Sequence, residues 1–176
     1  MNFSPWKSIV TVLALAAAVP ALAQNAERVA AHTDWAVFVA GSPKECYIVS
    51  PPTTSVARRD GQTVEVNRGD IRLFVAFRPG EGVSNEVSFT GGYPFRSGST
   101  VTLKVGSNSF AMTPGNGEAG EWAWTSPSDD ASAVAALRAG ANAEVTGISS
   151  RGTTTIDTFS LMGFTAAVSD ADARCK

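Results

Sequence analysis

The chain has 176 residues, with 14 Lys and Arg side chains against 16 Asp and Glu and a single His, for a formal net charge of −2. That length fits one domain with a sizeable core. The slightly acidic balance, with no basic run, excludes an electrostatic footprint for nucleic acid or for an anionic membrane surface.

The first residues have the organisation of a secretory leader. Lys7 supplies a short positive region, Ile9 to Val19 is apolar apart from Thr11, Pro20 breaks the run, and Ala21-Leu22-Ala23 offers the small-x-small pattern of a cleavage site. An apolar core of this size suits a signal peptide, whose core runs to about 7–15 residues. It is too short to cross a bilayer, which takes about 20. Residue 24 is Gln rather than Cys, so a lipoprotein attachment point is missing. The expectation is cleavage after Ala23, a single domain over 24–176, and a periplasmic, secreted or cell-surface product with no membrane span in the mature chain. The Ala-rich, polar stretch Asn25 to Thr33 is expected to be a loosely held arm.

Period-2 alternation dominates the chain beyond Thr33. Trp35–Val39 and Cys46–Val49 are apolar on both faces and predict central strands, joined by a hairpin at Gly41-Ser42-Pro43. Arg58-Arg59-Asp60-Gly61 has the composition of a solvated turn, and a strand is predicted over Gln62–Val66. Ile71, Leu73, Val75 and Phe77 alternate with Arg72, Phe74, Ala76 and Arg78, the pattern of a half-buried antiparallel strand. Val87 and Phe89 behave likewise, as do Val101, Leu103 and Val105. Further strands are predicted at Ser109–Thr113, Gly120–Thr125, Ala143–Ser149 and Thr153–Leu161. Gly, Asn and Pro punctuate the connections, as at Gly106-Ser107-Asn108 and Pro114-Gly115-Asn116-Gly117.

Two short helices interrupt the strands. The first is expected to start from an N-cap at Ser128, with Asp129 and Asp130 at the positive end of its dipole and Gly140 as its stop. The second follows Gly163 and places Phe164, Val168, Ala171 and Cys175 on one face. The predicted fold is mainly β: an antiparallel β-sandwich or barrel-like domain with two short helices.

The only cysteines are Cys46 and Cys175. In an oxidising exported compartment an even pair is expected to form a structural disulfide. It would tether the terminal helix to a central strand and enclose nearly the whole domain, contributing about 4–5 kcal/mol by chain-entropy arithmetic. Free thiols and a metal pair are the alternatives, but zinc wants four ligands and His32 is the sole histidine.

Chemistry is poorly supplied. His32 falls in the expected arm, where a general base cannot be held against its target, and Ser-His-Asp and Cys-His chemistry fall with it. Asp129 and Asp130 are accounted for at a helix start. Asp157 lies inside a predicted strand, where it can pair with an Arg such as Arg151 or cap a turn. No loop has calcium or zinc spacing, and no Gly-rich loop leads from a strand into a helix as a phosphate cradle would. The expectation is a protein without a cofactor or metal, and not an enzyme. A hydrolase with paired carboxylates ranks low because nothing selects a pair. Arg68-Gly69-Asp70 matches an adhesive tripeptide, but so short a match is cheap and a turn before a strand already explains it. Trp122 and Trp124 share a face of one strand. Burial in the core, with Glu121, Ala123 and Thr125 outward, is the favoured placement, and a stacking platform for sugar rings the rival.

Several blocks in order carry a family likeness: Asp34-Trp35, Cys46-Tyr47-Ile48, Arg68-Gly69-Asp70 leading into Leu73 to Pro79, Asn85-Glu86-Val87-Ser88, Gly92-Tyr93-Pro94-Phe95, Arg151-Gly152-Thr153, Asp157-Thr158-Phe159-Ser160-Leu161, Gly163-Phe164 and Cys175. Over almost the whole mature domain the chain resembles the invasion-associated locus B family of exported Gram-negative bacterial proteins. With only two cysteines it departs from longer members that carry a second disulfide. The resemblance implies an envelope or secreted protein and carries over no catalytic residue. The functional expectation is a non-enzymatic envelope protein that meets a protein or glycan partner through loops such as Arg58–Gly61 and Asn67–Asp70. The alternative is a periplasmic glycan or small-ligand binding module using Trp122, Trp124 or Tyr93.

Overall fold

The computed structural model describes residues 26–176. The expected leader and its cleavage site lie outside them. Among the described residues, twelve strands form one antiparallel sheet. In chain order they are β1 (Glu27–His32), β2 (Trp35–Ala40), β3 (Glu45–Ser50), β4 (Thr54–Arg59), β5 (Gln62–Thr63), β6 (Arg72–Arg78), β7 (Val83–Thr90), β8 (Val101–Val105), β9 (Asn108–Pro114), β10 (Trp122–Thr125), β11 (Asn142–Ile148) and β12 (Thr154–Ser160). Helix α1 (Asp130–Ala139) lies between β10 and β11, and α2 (Phe164–Arg174) follows β12. Across the sheet the strands run β1-β2-β3-β6-β7-β10-β9-β8-β11-β12-β4-β5.

The sheet bends back over itself. Phe89 of β7 meets Phe159 of β12 edge to face at 6.1 Å, although four strands separate them in the hydrogen-bonded order. The inward side chains therefore form a single core, in which Val37, Ile48, Leu73, Val75, Phe89, Leu103, Val145 and Phe159 are fully buried. The mainly β class with two helices is as the alternation predicts. Helix α2 lays Phe164, Ala167, Val168 and Ala171 against the inner face of β1–β3, with Phe164 edge-on to Trp35 at 5.0 Å.

Four local expectations need correction. Residues 27–32 are not a loose arm. They form β1, paired along β2 from Glu27↔Val39 to His32↔Trp35. His32 Nε2 lies 3.0 Å from Asp170 Oδ2 on α2, and Asp34 N–H donates to the Met162 carbonyl. Arg58 and Arg59 belong to strand β4, which pairs with β12, and only Asp60-Gly61 forms the turn into β5. Both turn residues have positive φ, 51° and 79°, as a two-residue hairpin turn of the primed type requires. The strand predicted over Gln62–Val66 is limited to Gln62–Thr63. Ser128 does not cap α1: the residue before the helix is Asp129, and the Ser128 hydroxyl meets that of Ser126 at 2.8 Å.

The predicted disulfide is present. Cys46 on β3 and Cys175 at the end of α2 are joined, with Cα atoms 5.7 Å apart across a sequence separation of 129. Both are buried.

Candidate functional site

The most distinctive surface lies on the outer face of the sheet. Alternation fixes which residues occupy it. On β6, Leu73, Val75 and Phe77 point into the core, so Phe74, Ala76 and Arg78 point out. On β7, Val87 and Phe89 go in and Glu86 and Ser88 out. On β3, Cys46 and Ile48 go in and Glu45 and Tyr47 out. Pairing then places β10: Trp124 sits opposite Ser88 and Trp122 opposite Thr90, so both tryptophans are on the outside. Ala123 and Thr125 are the buried residues of that strand. The core placement expected for Trp122 and Trp124 is overturned.

The outcome is a line of rings across five adjacent strands. Phe38 of β2 stacks on Tyr47 at 5.1 Å with planes 6° apart. Tyr47 contacts Phe74 at 6.0 Å, Phe74 contacts Trp122 at 5.2 Å, and Trp122 stacks with Trp124 at 6.2 Å and 21°. All five are half-buried. The small residues between them, Ala76 and Ser88, are only 6% exposed each, although they lie on the outer face. They form the floor of a groove of about 580 Å³ that Tyr47, Phe74, Trp122, Trp124 and Glu118 line.

One end of the groove is strongly charged. The Arg78 guanidinium binds three carboxylates: Glu86 Oε2 at 2.8 Å, Glu81 Oε2 at 2.9 Å and Glu45 Oε1 at 3.3 Å. The Glu86 hydrogen bond above all pushes the Arg78 pKa further up, against the opposing effect of burial, so Arg78 stays charged. The neighbouring Tyr47 hydroxyl is also pushed up, by burial and then by the charge of Glu45. Glu45 and Glu86 both line the groove, and both hold Arg78. Their charge is engaged by a shared guanidinium, the opposite of the apolar setting that makes a carboxyl a proton donor.

The residues singled out from sequence sit elsewhere. Arg68 of the Arg-Gly-Asp tripeptide turns inward. Its Nη1 and Nη2 donate to the two Asp157 oxygens, each at 2.7 Å, and its Nε donates to the Gly91 carbonyl at 2.9 Å. Its side chain is 7% exposed and that of Asp157 fully buried. The partner of Asp157 is thus Arg68 and not Arg151. Arg68 also lies 4.9 Å over the Tyr93 ring, and the Tyr93 hydroxyl meets Thr155 Oγ1 at 2.5 Å. Gly69 N–H donates to the Gly92 carbonyl, and a Cβ on Gly92 would come within 2.6 Å of Gly69 backbone atoms. This is a structural clamp, and it withdraws Arg68 from any receptor. Arg59 is half-spent in the same way, donating to Thr153 Oγ1 at 2.7 and 3.1 Å. Tyr93 belongs to the clamp and not to the aromatic groove.

His32 is committed to Asp170, whose carboxyl is held below its ordinary range by His32 first and Arg174 next. Asp130 is buried at the start of α1, where it accepts from Val87 N–H at 3.2 Å and from the Thr125 hydroxyl. Burial nonetheless pushes its pKa up. Among the described residues no group of three or more His, Cys, Asp or Glu has metal-holding geometry, and no helix is long and apolar enough to cross a membrane.

Comparison with known proteins places this architecture. No curated protein matches the chain. Among solved structures, the crystal structure of invasion associated protein B from Bartonella henselae matches with a TM-score of 0.57 and 18% identity, over 85% of this chain and 97% of that one. At that identity the match shows a shared fold. The model of the invasion associated locus B (IalB) protein family matches residues 59–172. That span runs from the end of β4 into α2 and holds Phe74, Trp122, Trp124 and the Arg68–Asp157 clamp, and the chain belongs to the invasion associated locus B family.

Proposed function

We propose that this chain is an exported, non-enzymatic contact protein of the cell envelope, and that its partner docks on the aromatic groove of the outer sheet face. The observation that carries the reading is the line Phe38, Tyr47, Phe74, Trp122 and Trp124, five half-buried rings on the side of the sheet away from the core. Aromatic side chains left at a surface, rimmed by charge, are the usual anchors of interfaces. Family membership and the buried disulfide support export into an oxidising space. The commitment of His32 to Asp170 and of Asp157 to Arg68 supports a role without catalysis. The contact surface moves from the loops to the sheet, since Asn67–Asp70 is pinned by Arg68. Contact with a host cell is the form of this function that the family's name favours.

The test is a pull-down from envelope and host-membrane extracts with the oxidised chain, run beside Phe74→Ala and Trp124→Ala. A component that the wild type retains and both variants lose supports the reading. Equal recovery by all three rules the groove out. A glycan is the second reading, favoured by the nearly parallel Trp122 and Trp124 rings, and chito-oligosaccharide competing in the same experiment would reveal it.

A further inference from the structure

We infer that the groove takes a cationic polypeptide segment, an extended stretch bearing Lys or Arg side chains, and this rests on the groove being the contact site. The first ground is charge. Arg78 is a single cation held by Glu45, Glu81 and Glu86, so that end of the groove carries more negative than positive charge. Glu118 adds a further carboxylate to the groove lining, which contains no cation besides Arg78 among the described residues. Phosphate, sulfate or an acidic sugar would meet repulsion there; an ammonium or guanidinium would find open carboxylate lone pairs, since Glu45 keeps 37% and Glu81 58% of its side chain exposed.

The second ground is the rings. An aromatic face carries negative potential and attracts a cation placed over it, Trp most strongly, and a guanidinium also stacks on it. The chain uses this contact internally, with Arg68 over Tyr93 at 4.9 Å. In the groove no cation of the described residues covers Trp122 or Trp124, whose partners are other rings. The methylene stems of Lys and Arg would cover the apolar stripe while their heads reach the carboxylates.

The third ground is shape. The stripe crosses five strands from β2 to β10. At about 4.8 Å between neighbours that is roughly 19 Å, room for about six residues of extended chain at about 3.3 Å each. Between the rings the groove runs open to solvent over its floor of Ala76 and Ser88, which suits a strand-like segment more than an enclosed small molecule.

The experiment is isothermal titration calorimetry of the oxidised chain against three probes: an end-blocked hexa-arginine peptide, an end-blocked hexa-glutamate peptide and chitohexaose. The expected result is saturable binding of hexa-arginine alone. Affinity should fall at least tenfold in Trp124→Ala, several-fold in Glu118→Gln, and steeply between 50 and 300 mM salt, with circular dichroism showing each variant folded. Hexa-arginine binding that survives Trp122→Ala and Trp124→Ala together overturns the inference, because the peptide then sits elsewhere. Chitohexaose binding that Trp124→Ala abolishes and Glu118→Gln leaves intact also overturns it, while sparing the groove as the contact site. No heat with any probe overturns it too, leaving the contact reading to the pull-down.

Discussion

At the scale of single residues, buried charge divides into two cases with opposite consequences. Asp157 is buried but receives both arms of Arg68, so its charge is matched in geometry and number. Asp130 is buried with neutral donors only, from Val87 N–H and the Thr125 hydroxyl, and burial outweighs them to raise its pKa. A carboxyl whose folded pKa exceeds its unfolded value loses its proton first in the unfolded chain. Rising pH therefore favours unfolding from the unfolded carboxyl range, about 3.9, up to the folded value. Asp130→Asn keeps an oxygen for Val87 N–H and cannot ionise. Its stability relative to the wild type should therefore improve from pH 3 to pH 7, as urea melts at the two pH values would measure. An unchanged difference would mean that the carboxyl is not strained by burial.

At the scale of elements, the connector from Val64 to Ile71 owes its course to a few fixings. Val64 N–H donates to Ala57, Gly69 N–H to Gly92, and Arg68 plugs into β12. Removing one member of the buried pair strands the other charge, so Arg68→Met should cost about 3–5 kcal/mol in chemical denaturation, and the double variant with Asp157→Leu should recover most of it. Sequence made some of these elements plain and hid others. The strands β6, β7 and β8 show in the sequence because large apolar residues recur at alternate positions, as at Leu73, Val75 and Phe77, at Val87 and Phe89, and at Val101, Leu103 and Val105. Strand β4 is hidden because it lies near the sheet edge and buries only Ala57, so Thr54–Arg59 carries no apolar rhythm. Strand β1 likewise has small or polar residues at most positions, and its order comes from pairing with β2 and from α2, which lies more than a hundred residues further along the chain. The faces of Trp122 and Trp124 were invertible for the same reason. A four-residue strand of alternating Trp with Ala and Thr has two apolar faces, and the pairing with β7 that decides between them spans two intervening strands. The candidate groove was therefore illegible as a unit: Tyr47, Phe74 and Trp122 come from β3, β6 and β10, brought together across β7 by a strand order that no local pattern encodes.

For the whole molecule, the Cys46–Cys175 bridge ties together what the strand order leaves open, since β1 and β5 at the two ends of the sheet do not pair with each other. Replacing both cysteines with Ala should lower the unfolding free energy by about 4–5 kcal/mol, most of it through the freer unfolded chain. The denaturation midpoint should fall with little change in the native circular dichroism. A loss far below that range would mean that the unfolded chain is compact even without the link. The same link makes the polypeptide a closed loop over 129 positions. A protease that severs any exposed turn between the two sulfurs converts the loop into a line and sets no fragment free. Both halves stay held together by the folded sheet and by one covalent bond, so a nicked molecule keeps its outer face assembled.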